Sequence, residues 1–214
     1  MFLLGAVINC RSGDVRENGG PGVPDIIELV KKNDIEGVKK ALEAGKNVDT
    51  RDKANRSLLL IATVNGLEGM AKLLVAGGAD VNLQDDRQDS PFLYAGASGQ
   101  TGLVRLFLEN GARFDIFNRY NGTALIPACE RGHIETVRLL VGTKGFPINH
   151  VNRLGWTALM EAVVLGDGSE RYQQIVKMLK EGGADLKIPD RDGKTALQHA
   201  RSRGFTVIAK MLGG

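Results

Sequence analysis

The sequence predicts an all-α solenoid, in which short helix pairs stack side by side along one axis. Aromatic residues make up only 5% of the 214 residues, and the other apolar residues are mostly Leu, Val, Ala and Ile, which suit packed helices. Glycine is abundant, at 28 residues. The deciding observation is a pattern that repeats at intervals of 33, 33, 34 and 38 residues, because a fixed period of this length is typical of repeat architectures.

Each repeat is marked by a hydroxyl residue, with Ala five residues later and Gly nine residues later. The hydroxyl residues are Ser57, Ser90, Thr123, Thr157 and Thr195. The alanines are Ala62, Ala95, Ala128, Ala162 and Ala200, and the glycines are Gly66, Gly99, Gly132, Gly166 and Gly204. The segments GGADVN, NGARFD and GGADLK recur between copies at a matching offset. A pattern shared at so many positions is not a chance similarity.

Physical chemistry gives each marker a place in a helix pair. The hydroxyl can cap an inner helix by accepting from a free N–H of its first turn. Alanine lets neighbouring inner helices approach closely, and the glycine can end the helix in a left-handed conformation. In the second helix, the segment GHIETVRLLV places Ile134, Val137, Leu140 and Val141 on one stripe at helical spacing. Such a stripe is expected of a face that is buried between repeats.

The pattern resembles the ankyrin repeat, whose 33-residue unit carries the motif T-P-L-H-x-A. In this chain the motif reads SLLLIA, SPFLYA, TALIPA, TALMEA and TALQHA. The resemblance, closest to single-array bacterial proteins of this family, implies an ankyrin-repeat solenoid of about six helix-turn-helix units with β-hairpin tips over residues 25–214. The units are expected at about 25–51, 52–84, 85–117, 118–151, 152–189 and 190–214.

Two departures from the pattern bear on local structure. Pro127 falls within the first turns of the fourth inner helix, where it removes one donor, so we expect a slight distortion there. A five-residue insertion between the last two motif copies lengthens the segment from Leu165 to Gln174. We expect it to form a protruding inter-helix loop that carries Arg171 and Tyr172, and such a loop is either a binding element or neutral.

Residues 1–24 differ in composition from the rest of the chain. The apolar segment MFLLGAVIN is followed by RSGDVRENGGPGVP, which has the Gly, Pro and charge content of a flexible linker. The segment is either a loosely packed leader or the tail of a signal sequence that begins upstream, and a weaker alternative is lipid attachment at Cys10. We expect an exported or periplasmic protein if it is a signal remnant, and a cytoplasmic one otherwise. No apolar run reaches 18 residues, so we expect no membrane span.

No group of residues indicates catalysis, a metal or a cofactor. The two cysteines and three histidines form no CxxC or HxxxH pair, so a zinc site is not expected. The tripeptide Gly193-Lys194-Thr195 has neither the leading Gly nor the preceding strand of a phosphate-binding loop. Cys129, His133 and His199 fit structural positions of the repeat. We therefore expect no catalytic residues, no metal, no cofactor and no enzymatic activity.

Surface recognition remains, and in a solenoid it is expected on the concave face formed by the tips and the inner helices. Four tips have Lys or Arg at the same position, which stacks Lys53, Arg119, Arg153 and Arg191 into one ridge. Tyr120, Leu154 and Trp156, the only Trp, are expected to point outward beside it, and a large aromatic flanked by Arg is typical of an interface hot spot. The candidate partner-binding residues are Arg87, Arg119, Tyr120, Arg131, Arg153, Leu154, Trp156, Tyr172 and Arg191. A ridge that is merely solvated remains the alternative.

These observations favour a monomeric, non-catalytic module that binds a protein partner. A net charge of +3 is too small to indicate nucleic acid binding, and Asp86, Asp89 and Asp192 interrupt the ridge. If the chain is exported, the narrower hypothesis is an inhibitor or immunity-type protein that occludes an exported enzyme. The alternatives are a structural adaptor that joins two partners and, least favoured, a small hydrolase.

Overall fold

Helix pairs follow one another along the chain in the computed structural model, which describes residues 25–213. The inner helices are α1 (Ile26–Lys31), α3 (Leu58–Val64), α5 (Pro91–Ala97), α7 (Leu125–Glu130), α9 (Ala158–Val164) and α11 (Ala196–Ser202). The outer helices are α2 (Ile35–Glu43), α4 (Glu68–Ala76), α6 (Thr101–Glu109), α8 (Ile134–Val141), α10 (Glu170–Glu181) and α12 (Thr206–Gly213). Each predicted unit contains one pair, and the all-α solenoid is confirmed. The leader predicted for residues 1–24, with Cys10, lies outside the described residues.

One side chain shapes each of the five tips between units. An Asp or Asn accepts, through Oδ1, the backbone N–H groups two and four residues later, at 2.9 to 3.0 Å. The tip residues that do this are Asp52, Asp85, Asn118, Asn152 and Asp190. The tips are tight turns rather than the predicted β-hairpins. The described residues form no strand, and their one isolated antiparallel bridge joins Arg51 and Ser57.

Four of the five predicted hydroxyl caps are formed. Ser57, Ser90, Thr157 and Thr195 each accept the backbone N–H of the third residue that follows. Thr123 makes no such bond, and its Oγ1 is buried without a hydrogen-bond partner among the described residues.

Pro127 explains the missing cap at Thr123. In the other four motif copies the residue four positions after the hydroxyl donates its N–H to the hydroxyl residue's carbonyl, as Glu161 does to Thr157 at 2.9 Å. Proline has no N–H, so this bond is absent, and α7 begins two residues after Thr123 rather than one. The predicted local distortion is present in this form.

The core runs through the whole stack of described units. The alanine of the motif is fully buried in every copy, as expected where neighbouring inner helices approach closely. The apolar stripe of the outer helices faces the same core, with Val137 and Leu140 fully buried on α8. Packing of each unit against the next therefore places their tips and inner helices side by side.

The insertion in the fifth unit does not form the predicted protruding loop. Helix α10 begins at Glu170 and has 12 residues, against 9 in α4 and in α6. Two of the five extra residues lengthen the turn before α10, and three lengthen the helix itself. Arg171 and Tyr172 consequently lie in the first turn of α10, because the added residues extend its hydrogen-bonded turns.

Candidate functional site

A groove opens between the fourth and fifth units, where two tips meet the inner helices α7 and α9. We call it the tip groove, and its cavity volume is about 360 Å³. The residues that line it are Asn118, Arg119, Tyr120, Gly122, Ile126, Pro127, Glu130, Arg131, Asn152, Leu154, Glu161 and Leu165. Four of the predicted site residues, Arg119, Tyr120, Arg131 and Leu154, are brought together here.

Exposed apolar side chains are concentrated at this groove. Among the described residues, five large apolar side chains are exposed: Tyr120, Val151, Leu154, Leu165 and Val207. Tyr120, at 52% exposure, Leu154, at 50%, and Leu165, at 47%, all line the groove. Single exposed apolar residues are ordinary on a protein surface, whereas several around one depression mark a candidate interaction site.

Glu161 lies at the floor of the groove. It sits on α9, and only 4% of its surface is exposed. Its Oε1 accepts a hydrogen bond from Asn152 Nδ2 at 2.9 Å, and this is the one hydrogen bond made by the carboxylate within residues 25–213. A buried carboxylate with so few partners is costly to keep ionised.

Asn152 is held in a fixed orientation by the tip. Its Oδ1 accepts the backbone N–H groups of Leu154, at 2.9 Å, and Trp156, at 3.0 Å, which leaves its Nδ2 to face Glu161. The next unit has the same arrangement with different chemistry, because Asp190 Oδ2 lies 2.6 Å from His199 Nε2. The tip residue therefore positions whichever polar group lies nine residues later on the inner helix.

The surroundings of Glu161 shift the acid–base properties of the groove. Burial, and next the charge of Glu130, raise the pKa of Glu161 from 4.5 to about 7, while the hydrogen bond from Asn152 acts in the opposite direction. Burial, assisted by the charge of Glu161, also raises the pKa of the neighbouring Cys129 thiol well above its ordinary value. A carboxyl group with a pKa near neutrality in a cleft is a functional-site candidate.

The two arginines of the groove are directed toward the third unit. Arg119 Nη1 lies 3.4 Å from Asp89 Oδ2, and its guanidinium carbon lies 4.9 Å from the centre of the Tyr120 ring. Arg131 Nη1 donates to the carbonyl oxygen of Ala97 at 2.7 Å. Neither guanidinium pairs with Glu161 or Glu130, so both carboxylates at the floor lack a paired cation among the described residues.

Comparison with known proteins identifies the repeat. The family model for ankyrin repeats (3 copies) matches residues 26–118 and 114–190, which is most of the chain. The chain belongs to the ankyrin repeat family. Ankyrin repeats are general protein–protein interaction modules.

Three similar proteins agree with this assignment. The ankyrin repeat protein named YahD, from Escherichia coli (strain K12), is 35% identical over 88% of this chain and 94% of its own length. An ankyrin repeat domain from Acinetobacter baumannii AYE is 48% identical, with a TM-score of 0.85, over 87% of this chain and 95% of that one. The ankyrin repeat protein EF0377 is 41% identical, with a TM-score of 0.86, over 91% of this chain and 98% of that one.

The predicted basic ridge is partly engaged in holding the ankyrin units together. Arg153 Nη1 donates to the carbonyl oxygen of Arg119 at 3.0 Å, and Arg191 donates to the carbonyl oxygen of Arg153. Arg87 lies 4.0 Å from Asp89. These four arginines remain exposed, so they keep donors for a partner. Two of them, Arg153 and Arg191, also join neighbouring tips, and the other two, Arg87 and Arg119, lie near Asp89.

Two candidate residues lie elsewhere than expected. Trp156 is half-buried and packs against the hydrophobic core rather than pointing outward, because its place beside the cap Thr157 brings it close to the inner helices. Tyr172 is also half-buried, and its Oη donates to the carbonyl oxygen of Glu130 at 2.7 Å. Tyr172 thus holds the backbone of Glu130, which lines the groove. A partner-binding role for Trp156 or for Tyr172 stays a prediction.

A larger depression, of about 630 Å³, lies at the other end of the helices around the turn between α7 and α8. Its charged groups are mostly basic, from Arg131, Arg138 and Arg171, and Glu135 lies 3.4 Å from Arg138. No exposed large apolar side chain of the described residues lines it, so the tip groove is the better candidate. In residues 25–213, no cluster of His, Cys, Asp and Glu could hold a metal ion, and no helix has the length and apolar character to cross a membrane.

Sequence reasoning missed Glu161, although a signal was present. It occupies the variable position x of the ankyrin motif T-P-L-H-x-A, where the other copies have Ile61, Tyr94, Pro127 and His199. A single acidic residue at this position, in the fifth of six units, is the sequence feature that marks it. Its burial depends on the neighbouring units, which no single motif copy reveals.

Proposed function

We propose that this ankyrin array is a non-catalytic module that binds a protein partner through the tip groove. The observation that carries the proposal is the placement of Tyr120, Leu154 and Leu165, three of the five exposed large apolar side chains of residues 25–213, around one groove. Covering this apolar surface would remove it from water, which is the main driving force of protein association.

The groove also has the composition of an interface centre. Arg119 lies over the Tyr120 ring, so the aromatic side chain and the guanidinium are arranged together before a partner arrives. The tip backbone is fixed by Asn118 and Asn152 through their Oδ1 acceptors. A preordered surface loses less conformational entropy on binding, which favours affinity.

A pull-down with matched variants tests this proposal. The tagged full chain is incubated with a lysate of the cells that produce it, and bound proteins are identified by mass spectrometry. The wild type is compared with Leu154→Asp and with Val207→Asp. Val207, at 46% exposure, matches Leu154 in exposure but lies on α12, away from the groove. We expect a specific partner that Leu154→Asp loses and Val207→Asp retains. A partner kept by both variants would place binding elsewhere and contradict the proposal.

The narrower proposal is an inhibitor or immunity-type role against an exported enzyme, and the apolar segment of residues 1–9 is what supports it. It requires the protein and its partner to share a compartment. Cell fractionation followed by immunoblotting tests this, and a protein found only in the cytosol with Met1 intact would exclude the exported version.

A further inference from the structure

Two acidic side chains without a paired cation among the described residues lie at the floor of the tip groove. Glu161 and Glu130 both line the groove, and neither takes part in an ion pair within residues 25–213. Arg119 and Arg131, the nearby cations, are bonded to Asp89 and to the carbonyl oxygen of Ala97. The fold therefore leaves a buried carboxylate beside a second one, with an opening to solvent above them.

The repeat itself does not need a carboxylate at this position. Ile61, Tyr94, Pro127 and His199 occupy the equivalent place in the other units, and all of these inner helices form. An ionised group buried without a counterion is unfavourable, and it is tolerated where a partner supplies the missing charge.

Building on the proposed protein-binding function, we propose that the Glu161 carboxylate receives a Lys or Arg side chain of the protein partner. The charge of the groove floor fits a cation, and the rim formed by Tyr120 and Leu154 fits apolar residues on either side of it. Arg or Lys would bond to the oxygen that Asn152 leaves free, with Glu130 adding to the attraction.

Binding of a cation should then depend on the ionisation of Glu161. Its pKa of about 7 means that roughly one tenth of the molecules are ionised at pH 6 and roughly nine tenths at pH 8. The affinity for a cationic ligand should therefore rise about tenfold between these pH values. The elements packed against α9 carry further charged or titratable groups. Near the groove these are Cys129 and Glu130 on α7, Arg131 just after it, Arg171 and Tyr172 at the start of α10, His199 on α11, Arg203 just after it, and Arg119 and Asp190 on the adjoining tips.

The test begins with a phage-displayed library of random peptides of about a dozen residues, selected at pH 8 on the immobilised full chain. Peptides retained by the wild type and by Val207→Asp, but lost on Leu154→Asp, are groove binders. We expect these groove binders to share one Lys or Arg with an apolar neighbour. Each selected peptide is then synthesised together with a version in which that Lys or Arg is replaced by norleucine or citrulline.

Affinities of both peptide versions are measured for the wild type and for Glu161→Gln at pH 6 and pH 8. The Glu161→Gln substitution nearly preserves the shape of the side chain and keeps an acceptor for Asn152. Circular dichroism is used to check that the variant is folded. We expect Glu161→Gln to weaken the cationic peptide at least tenfold at pH 8 and the neutral peptide less than twofold. We also expect the tenfold pH effect for the wild type alone.

The outcomes separate the two proposals. Groove binders that lack a basic residue, or that bind the wild type and Glu161→Gln equally, overturn the cation site and leave the protein-binding groove standing. A selection in which no peptide depends on Leu154 overturns the groove as a binding surface, and the cation site with it. A cationic peptide with the expected coupling to Glu161 supports both.

Discussion

Asn152 links the fifth unit's tip to the groove, because its Oδ1 binds the backbone of the tip while its Nδ2 donates to Glu161 Oε1 at 2.9 Å. One amide side chain thus serves both the turn and the buried carboxyl group. An Asp at this position, as in the tips formed by Asp52, Asp85 and Asp190, would form the turn equally well but would provide no donor for Glu161. The pairing of Asn152 with Glu161 is therefore specific to this unit.

Replacing Asn152 by Asp should destabilise the protein at pH 8. The turn would keep its acceptor, but Glu161 would lose its donor and face a like charge, at a cost of about 1 to 3 kcal/mol. Urea unfolding followed by circular dichroism measures the loss. The double variant Asn152→Asp/Glu161→His recreates the Asp190–His199 pair of the next unit and should recover most of the stability. A single variant as stable as the wild type would show that the hydrogen bond contributes nothing.

Stability should depend on pH through Glu161. Its pKa is raised from 4.5 to about 7 in the folded state, so between these values the folded protein binds more protons than the unfolded chain. The free energy of unfolding should therefore fall as pH rises through this window and level off above about pH 7. Unfolding curves of the wild type and of Glu161→Gln isolate the effect, because all other titrating groups are common to both. A constant difference between the two proteins across this window would contradict it.

Replacing either of two prolines by Ala should have opposite effects on stability. Pro127→Ala restores an N–H that can donate to the carbonyl oxygen of Thr123 and lets the buried Thr123 hydroxyl act as a cap, so we expect a gain of about 1 kcal/mol. Pro91 lies at the start of α5, where proline is favourable, so Pro91→Ala should cost about 0.5 to 1 kcal/mol. Thermal and urea unfolding of both variants provide the comparison. Equal losses in both would show that α7 is already optimal with its proline.

Removing the hydroxyl of Tyr172 should lower the stability of the protein, because this hydroxyl holds the backbone of Glu130 at the groove. Tyr172→Phe leaves the carbonyl oxygen of Glu130 without its 2.7 Å donor, and the expected loss is about 0.5 to 1.5 kcal/mol of unfolding free energy. Tyr120→Phe is the matched control, since it removes the same hydroxyl from a side chain that is 52% exposed at the surface. A loss as large in the control would attribute the effect to the ring environment rather than to this bond.

Most of the fold could be predicted from the sequence, because each copy of the repeat carries the same residues that determine local structure. Hydroxyl caps, buried alanines and helix-ending glycines depend on contacts within a unit or with a similar neighbour. Four of the five motif glycines have the predicted left-handed conformation, and Gly166 does not, because the insertion moves the positive φ to Gly168. The spacing locates the insertion, but the predicted loop is wrong, since spacing alone does not distinguish a longer turn from a longer helix. The same holds for Trp156, whose half-buried position is decided by packing against the core rather than by its place in the motif.

The period, the order of the helix pairs and the tip positions of Arg119, Tyr120 and Leu154 all follow from the amino-acid sequence. Each of these features rests on local chemistry that every copy repeats. Only the tertiary structure shows that these side chains surround one groove and that Arg119 and Arg131 bond to the third unit. It also shows that Glu161 is buried without a paired cation among the described residues. The physical reason is that burial and charge pairing between units depend on distances across the stack, which the order of residues along one repeat does not contain.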